Sequence, residues 1–235
     1  MTMLDRIDYR DGNAALTGWL ARPQGTPRGA VLIWPTIMNV TPAIERRAEM
    51  LADRGYLALI GDFYGAPAAD MEQARALAED LRGDTDGLRA RLRAALDALT
   101  TVPEASGQPL AVIGYCMGGM AALEMARDGA NVRACVSFHG VFATARPAAP
   151  GAVKARILVC HGDADPLAPR EQVLGLWQEL DSAGANWHFH SYSGVRHGFT
   201  DPGSDARGIP AIAYDASADR QSWAAMMSLF DEVMT

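Results

Sequence analysis

One cysteine of this chain stands where a nucleophile would have to stand. The segment Gly114-Tyr115-Cys116-Met117-Gly118-Gly119 follows the apolar run LAVIG at 110–114 and opens a helical pattern that runs to Gly129. Cys116 therefore falls on a tight strand-to-helix turn, a position that strains the backbone of its residue and presents the side chain outward. Glycines at 114 and 118 remove side chains that would collide around such a turn. At a helix amino terminus, unpaired N–H groups and the helix dipole favour a thiolate over a thiol, whose unperturbed pKa is about 8.5.

A thiolate nucleophile needs a base, and the base needs an orienting acid. On an alternating α/β framework these follow in the chain order nucleophile, acid, histidine, on loops after later strands. After the run RILVC at 156–160 comes His161-Gly162-Asp163-Ala164-Asp165-Pro166. Pro166 disfavours the α conformation for Asp165 and holds it extended beyond the strand end, which makes Asp165 the candidate acid. Asp163 is its rival, read as a turn-former just after Gly162. After WHFHSY at 187–192 comes Gly194-Val195-Arg196-His197-Gly198-Phe199, a loop able to reach back over the carboxyl edge of a sheet, and His197 is the candidate base. His139 follows a strand but precedes the acid in the chain, so it is read as a pocket residue. His188 and His190 alternate on one face of a strand and are read as packing or solvent-facing. Cys135 and Cys160 lie inside apolar strands and are read as small buried hydrophobes.

The elements that must position these groups are legible as apolar runs. AVLIW at 30–34 reads as the first buried strand, with short strands around Leu16 to Leu20 before it. Thr41 offers an N-cap hydroxyl and Pro42 an N1 proline to a helix carrying Ile44, Ala48 and Leu51 and ending at Gly55. Then follow strand 56–61, helical segments between Asp70 and Thr100, strands 110–114, 133–138 and 156–160, a helix from Pro169 to about Ala183, strand 187–192 and a helix from about Ser217. Strands separated by helices require a mostly parallel sheet covered on both faces, a three-layer α/β sandwich. The Pro- and Ala-rich stretch at 143–155 has no clear period and reads as a lid or a surface loop.

With 235 residues, the chain fits one domain, 1–235, with a sizeable core. A net charge of -7 opposes attraction to phosphate backbones, which excludes nucleic acid as a natural partner. Arg89, Arg91 and Arg93 lie within a leucine pattern at 88, 92, 96 and 99 and are expected on a solvated helix face. The amino terminus lacks the apolar core of a signal peptide, no apolar run approaches a membrane span, and three cysteines without metal or dithiol spacing imply free thiols. A cytoplasmic protein without cofactor or metal is expected, with monomer and homodimer both open.

GYCMGG at 114–119, HGDAD at 161–165 and RHGF at 196–199 together resemble the dienelactone hydrolase family, a cysteine-using branch of the α/β-hydrolases. The resemblance extends from about Ala30 to the end, including AYDASADRQSW, and lies in the joint spacing, 49 residues from Cys116 to Asp165 and 32 more to His197. It implies an α/β-hydrolase fold, an ester or lactone substrate, a Cys116–His197–Asp165 triad and an oxyanion hole from the backbone N–H groups of Ile37 and Met117. Two departures limit it. The glutamate that well-known members carry after the first strand, thought to hold the resting thiol neutral, is replaced here by Thr36, a candidate substrate contact. The family's substrate-binding arginines are replaced by Ala66 and Asp201, which favours a neutral or differently charged substrate, with Arg196 as the remaining candidate cation beside His197. A promiscuous carboxylesterase or thioesterase, and a non-catalytic redox or binding module, are the alternatives on the same fold.

Overall fold

In the segment Ala30–Trp34 every side chain is buried, yet alternate residues enter different cores, as the period of two requires. Leu32 and Trp34 pack on one side of a sheet, Val31 and Ile33 on the other. The computed structural model, which describes residues 4–235, builds this sheet from eight strands. They are β1 (Asp5–Asp11), β2 (Ala14–Ala21), β3 (Ala30–Trp34), β4 (Leu57–Ile60), β5 (Leu110–Tyr115), β6 (Ala134–Phe138), β7 (Arg156–Gly162) and β8 (Trp187–Tyr192). Their spatial order is β1-β2-β4-β3-β5-β6-β7-β8. The first two pairings are antiparallel and every pairing from β4 to β8 is parallel.

Among the described residues six helices cover the sheet: α1 (Pro42–Asp53), α2 (Met71–Gly83), α3 (Thr85–Thr101), α4 (Met117–Arg127), α5 (Arg170–Ser182) and α6 (Ala216–Val233). α1 and α6 fill one face with Ile44, Leu51, Met226 and Phe230. α2 to α5 fill the other with Ala78, Leu92, Ala121 and Leu176. The result is the three-layer sandwich that the alternation of elements calls for. The order of strands reverses between β3 and β5, so the loops after these two strands diverge at the carboxyl edge, where a crevice opens.

Four expectations need correction or completion. The strand expected around Leu16 to Leu20 is one arm of a full hairpin, its partner β1 turning through Gly12 at φ 53°. β1 is polar and mostly exposed, with only Ile7 and Tyr9 packed inward, so it offers no apolar run to read. Thr41 occupies the N-cap of α1, but its carbonyl rather than its hydroxyl serves the cap, accepting from Ile44 N at 2.9 Å. The arginines of α3 do not form a solvated face. Arg89 is buried and donates to Glu124 Oε2 at 2.9 Å and to Arg146 O at 2.8 Å, Arg91 reaches Asp11 at 2.7 Å, and only Arg93 is exposed, paired with Asp128. Finally, 143–155 is a pinned surface loop: Ala148 N donates to Glu179 and Gly151 N to Ala183 O, both at 2.9 Å, and none of its residues reaches the crevice.

Candidate active site

β5 ends at Tyr115 and α4 begins at Met117, which leaves Cys116 alone to turn the chain, at φ 57° and ψ -119°. This conformation is sparsely populated for any residue with a side chain and persists only where the surroundings enforce it. The enforcement is steric. A Cβ at Gly114 would lie 1.9 Å from Gly118 O, and one at Gly118 would lie 2.1 Å from Trp34 O, so β5, the turn and the end of β3 touch backbone to backbone. Cys116 is the one partly exposed cysteine, whereas Cys135 and Cys160 are buried.

The loops after β7 and β8 bring the other two groups together. His197 Nδ1 lies 2.7 Å from Asp165 Oδ2, and both residues are buried. Asp165 is itself held by Leu167 N, which donates to Oδ1 at 2.8 Å. Asp163, the rival acid, points away and pairs with Arg170. The His197 loop is fastened rather than free: His197 N donates to Ala211 O at 3.1 Å and Ala213 N to His197 O at 3.0 Å. The remaining ring nitrogen, Nε2, makes no aligned hydrogen bond among the described residues, yet it is close enough to the sulfur for each group to control the other's charge.

Burial raises the Cys116 thiol, but the charge of the adjacent His197 ring and the backbone N–H groups of Met117 and Ile37 outweigh burial, and the net direction is down. Burial lowers His197, but the Cys116 charge and Asp165 outweigh it and push the ring up to about 10. Both shifts run in the direction that favours the charged form of each partner. The N–H groups of Ile37 and Met117 converge on the Cys116 sulfur.

Ile37 is placed by a turn in which Asn39 N donates to Thr36 O at 2.9 Å, with Asn39 at φ 63°. Asp62, after β4, anchors this turn, accepting from Asn39 Nδ2 at 2.7 Å and from Thr17, Tyr64 and Gly65 N at 2.9 Å each. The Tyr64 hydroxyl donates to Ile37 O at 3.1 Å. Sequence reasoning passed over Asn39, Asp62 and Tyr64. An Asp just past a strand and a Tyr two residues on, DFY at 62–64, are the signal available, but only the fold shows what they hold.

His139, at φ 39°, lies across the crevice. Its Nδ1 accepts from Cys116 N at 3.0 Å, so its proton sits on Nε2, which faces Thr200 Oγ1 at 2.9 Å. Burial, the His197 charge and Arg47 hold it well below the ordinary histidine range, so this ring is neutral. It packs edge-on to His197, with centroids 5.1 Å apart. Thr36 and His139 both line the crevice, beside Ile37, Met38, Ile44 and Met71, and the Thr36 hydroxyl accepts from Met38 N at 3.3 Å. Arg196 does not line it. Adjacent residues of an extended segment point opposite ways, so with His197 inward Arg196 is exposed and donates to Pro210 O at 2.8 Å. The cations on the wall are Arg47 and Arg207. His188 and His190 are exposed on β8.

Known proteins resemble this chain in sequence and in fold. Residues 16–234 match the profile of the Dienelactone hydrolase family. The crystal structure of a dienelactone hydrolase-like promiscuous phosphotriesterase from metagenomic libraries superposes with a TM-score of 0.93 at 36% identity, covering 99% of both chains. A probable 2-oxo-3-(5-oxofuran-2-ylidene)propanoate lactonase of Bradyrhizobium sp is 26% identical over 216 residues, 86% of each chain. Carboxymethylenebutenolidase of a Pseudomonas species is 33% identical over 121 residues, 47% of this chain and 49% of its own length.

Proposed function

The chain belongs to the dienelactone hydrolase family, with an α/β-hydrolase fold, and from that premise we propose that it hydrolyses carboxylic esters and lactones through Cys116, His197 and Asp165. The observation that carries the reading is the conjunction at one edge of the sheet. A strained cysteine, an imidazolium partner and a buried carboxylate 2.7 Å from that imidazolium meet where two N–H groups converge.

The Cys116 sulfur attacks the carbonyl carbon, and the displaced π electrons become an oxyanion. The N–H groups of Ile37 and Met117, which face the sulfur at rest, take up that oxygen. Collapse of the tetrahedral adduct breaks the carbon–oxygen bond, and the leaving oxygen takes the proton of His197 Nε2, giving an acyl-thioester and a neutral ring. A water molecule then gives its proton to Nε2 as it attacks the thioester. Expulsion of the thiolate releases the acid and restores the charged pair. Asp165 keeps the ring oriented and stabilises its charged form in both halves. A lactone follows the same path with its leaving hydroxyl still attached.

Esters with good leaving groups are favoured. A thiolate leaves more readily than an amine, so the adduct with an amide collapses backwards. The three free thiols suit a reducing, cytoplasmic compartment. Among the described residues no helix is long and apolar enough to cross a membrane. A panel of aryl esters, acyl thioesters and unsaturated lactones, with a triester added on the likeness to the metagenomic enzyme, tests the reading. Wild type should turn over at least the aryl esters, Cys116→Ala should not, and mass spectrometry should find the acyl group on Cys116. Equal turnover by Cys116→Ala would overturn it.

A further inference from the structure

The crevice wall carries two guanidinium groups among the described residues, and neither is available to a substrate carboxylate. Arg47 is buried. It is paired with Asp219, donates to Thr200 O at 2.6 Å and is sandwiched near the rings of Tyr115 and Trp223. Arg207, on the short 3-10 turn Asp205–Arg207, is paired with Asp201, which lines the same wall. Asp201 is the fixed member: one of its oxygens accepts from Gly203 N at 2.8 Å, and its side chain is 15% exposed against 40% for Arg207. The other charges at the site are the thiolate, the imidazolium and the Asp165 carboxylate, which leave one negative charge beside the reacting atoms. The remaining lining is largely apolar, from Ile37, Met38, Ile44, Met71 and Ile212.

We propose that the Asp201–Arg207 pair is a charge lock that selects neutral acyl groups, with Asp201 holding the one half-exposed cation of the wall away from any substrate carboxylate. The inference rests on the hydrolase reading for its substrate and extends it to substrate charge. An acyl carboxylate entering the crevice meets Asp201 and the net negative charge of the triad before it meets a free donor. Removing the charge of Asp201 turns Arg207 from a spent cation into an anchor for that carboxylate.

The test compares p-nitrophenyl half-esters of straight-chain diacids with their methyl-capped neutral counterparts. Asp201→Asn keeps an acceptor for Gly203 N and, as a half-exposed ion pair contributes little to stability, should leave the protein folded. The ratio of kcat/KM for anionic over neutral ester should rise about tenfold. Arg207→Gln in the Asp201→Asn background should cancel the rise. A second reading needs no turnover: the rate of Cys116 alkylation by iodoacetate relative to iodoacetamide should rise in Asp201→Asn and fall again in the double variant. If wild type hydrolyses neutral esters and neither ratio moves, the charge lock is wrong and the hydrolase reading stands. If no ester is hydrolysed but the alkylation ratio shifts as stated, the hydrolase reading is wrong and the charge lock stands.

Discussion

Burial alone would keep the Cys116 thiol protonated, as it does at Cys135 and Cys160, each pushed up to about 12. At Cys116 the same penalty is outweighed by His197 and by the N–H groups of Met117 and Ile37, so this thiol is shifted down where the other two are shifted up. Iodoacetamide should therefore alkylate Cys116 with an acid limb below that of a free cysteine, with no competition from the two buried thiols. In His197→Asn the burial penalty loses its main opponent, and the limb should move above that of free cysteine. The partner shift has a stability consequence. With His197 raised from 6.5 to about 10, its contribution is fully present below pH 6.5 and is lost as pH rises through about 10. Urea midpoints measured between pH 6 and 10.5 should fall over that window in wild type and stay flatter in His197→Asn. Thr36 adds no charge to this balance, because its hydroxyl merely accepts from Met38 N. Thr36→Glu places a carboxylate in the same crevice, where like charges oppose a second ionisation, and should move the alkylation limb upward by about one pH unit. An unmoved limb would mean that position 36 has no electrostatic hold on the sulfur.

The strained conformation of Cys116 is a property of β3, β5 and α4 together. Gly118 is where they meet, since its missing side chain admits Trp34 O and Pro35 O to within 2.1 and 2.4 Å of where a Cβ would sit. Neither is the tip of a flexible side chain, so Gly118→Ala must shift backbone and should cost about 3 kcal/mol or more in urea unfolding. It should also depress ester turnover, because the same chain leads to Ile37. Gly175→Ala, in α5 with no atom within 4 Å of the new methyl, should instead stabilise by about 0.5–1 kcal/mol. The contrast separates a glycine needed for close approach from one that is only permissive. At this scale the sequence was readable wherever an element has an apolar signature. β3, β5, β6 and β7 announce themselves, and the loops after β5, β7 and β8 could be placed from the strands before them. β1 was not readable, because a polar edge strand with two inward residues has no such signature. Arg89 was misplaced because helical spacing shows that a residue flanks the leucine stripe but not that Glu124 of a neighbouring helix waits there. Thr200, Asp62 and Arg207 reach the site from distant parts of the chain, and Arg196 leaves it although it adjoins His197. Chain order found the triad candidates, whereas the wall around them depends on contacts that only the packed elements create.

Across the molecule, the layer behind the site is joined by charges as well as by apolar contact. Glu124 of α4 accepts from Arg89 of α3 at 2.9 Å and from Arg127 at 2.8 Å, and Arg127 continues to Glu179 of α5 at 2.8 Å and to Phe142 O at 2.9 Å. Arg89, Glu124 and Arg127 are all buried, so each depends on its partners for the solvation it has lost. Neutralising the central carboxylate leaves two arginines without their shared counter-charge, and Glu124→Gln should destabilise by about 3–5 kcal/mol. Arg146→Ala removes the exposed pair with Asp86 and should cost about 1 kcal/mol or less. The network also sets the acid side of the stability profile. Burial would raise Glu179, but Arg127 outweighs burial and lowers it below 4.5. A carboxylate lowered on folding contributes stability that is present above its unfolded value and lost as pH falls through the folded one. Wild type should therefore lose stability steeply below about pH 4.5, and Glu179→Gln, already less stable at neutral pH, should lose less over the same interval. Because α4 begins at Cys116, loosening its far end against α3 and α5 acts on the helix whose first N–H faces the sulfur. Glu124→Gln should thus soften the alkylation profile of Cys116 at temperatures where the fold is still intact. If circular dichroism shows a folded variant whose alkylation limb coincides with wild type, the ionic layer supports the fold without reaching the site.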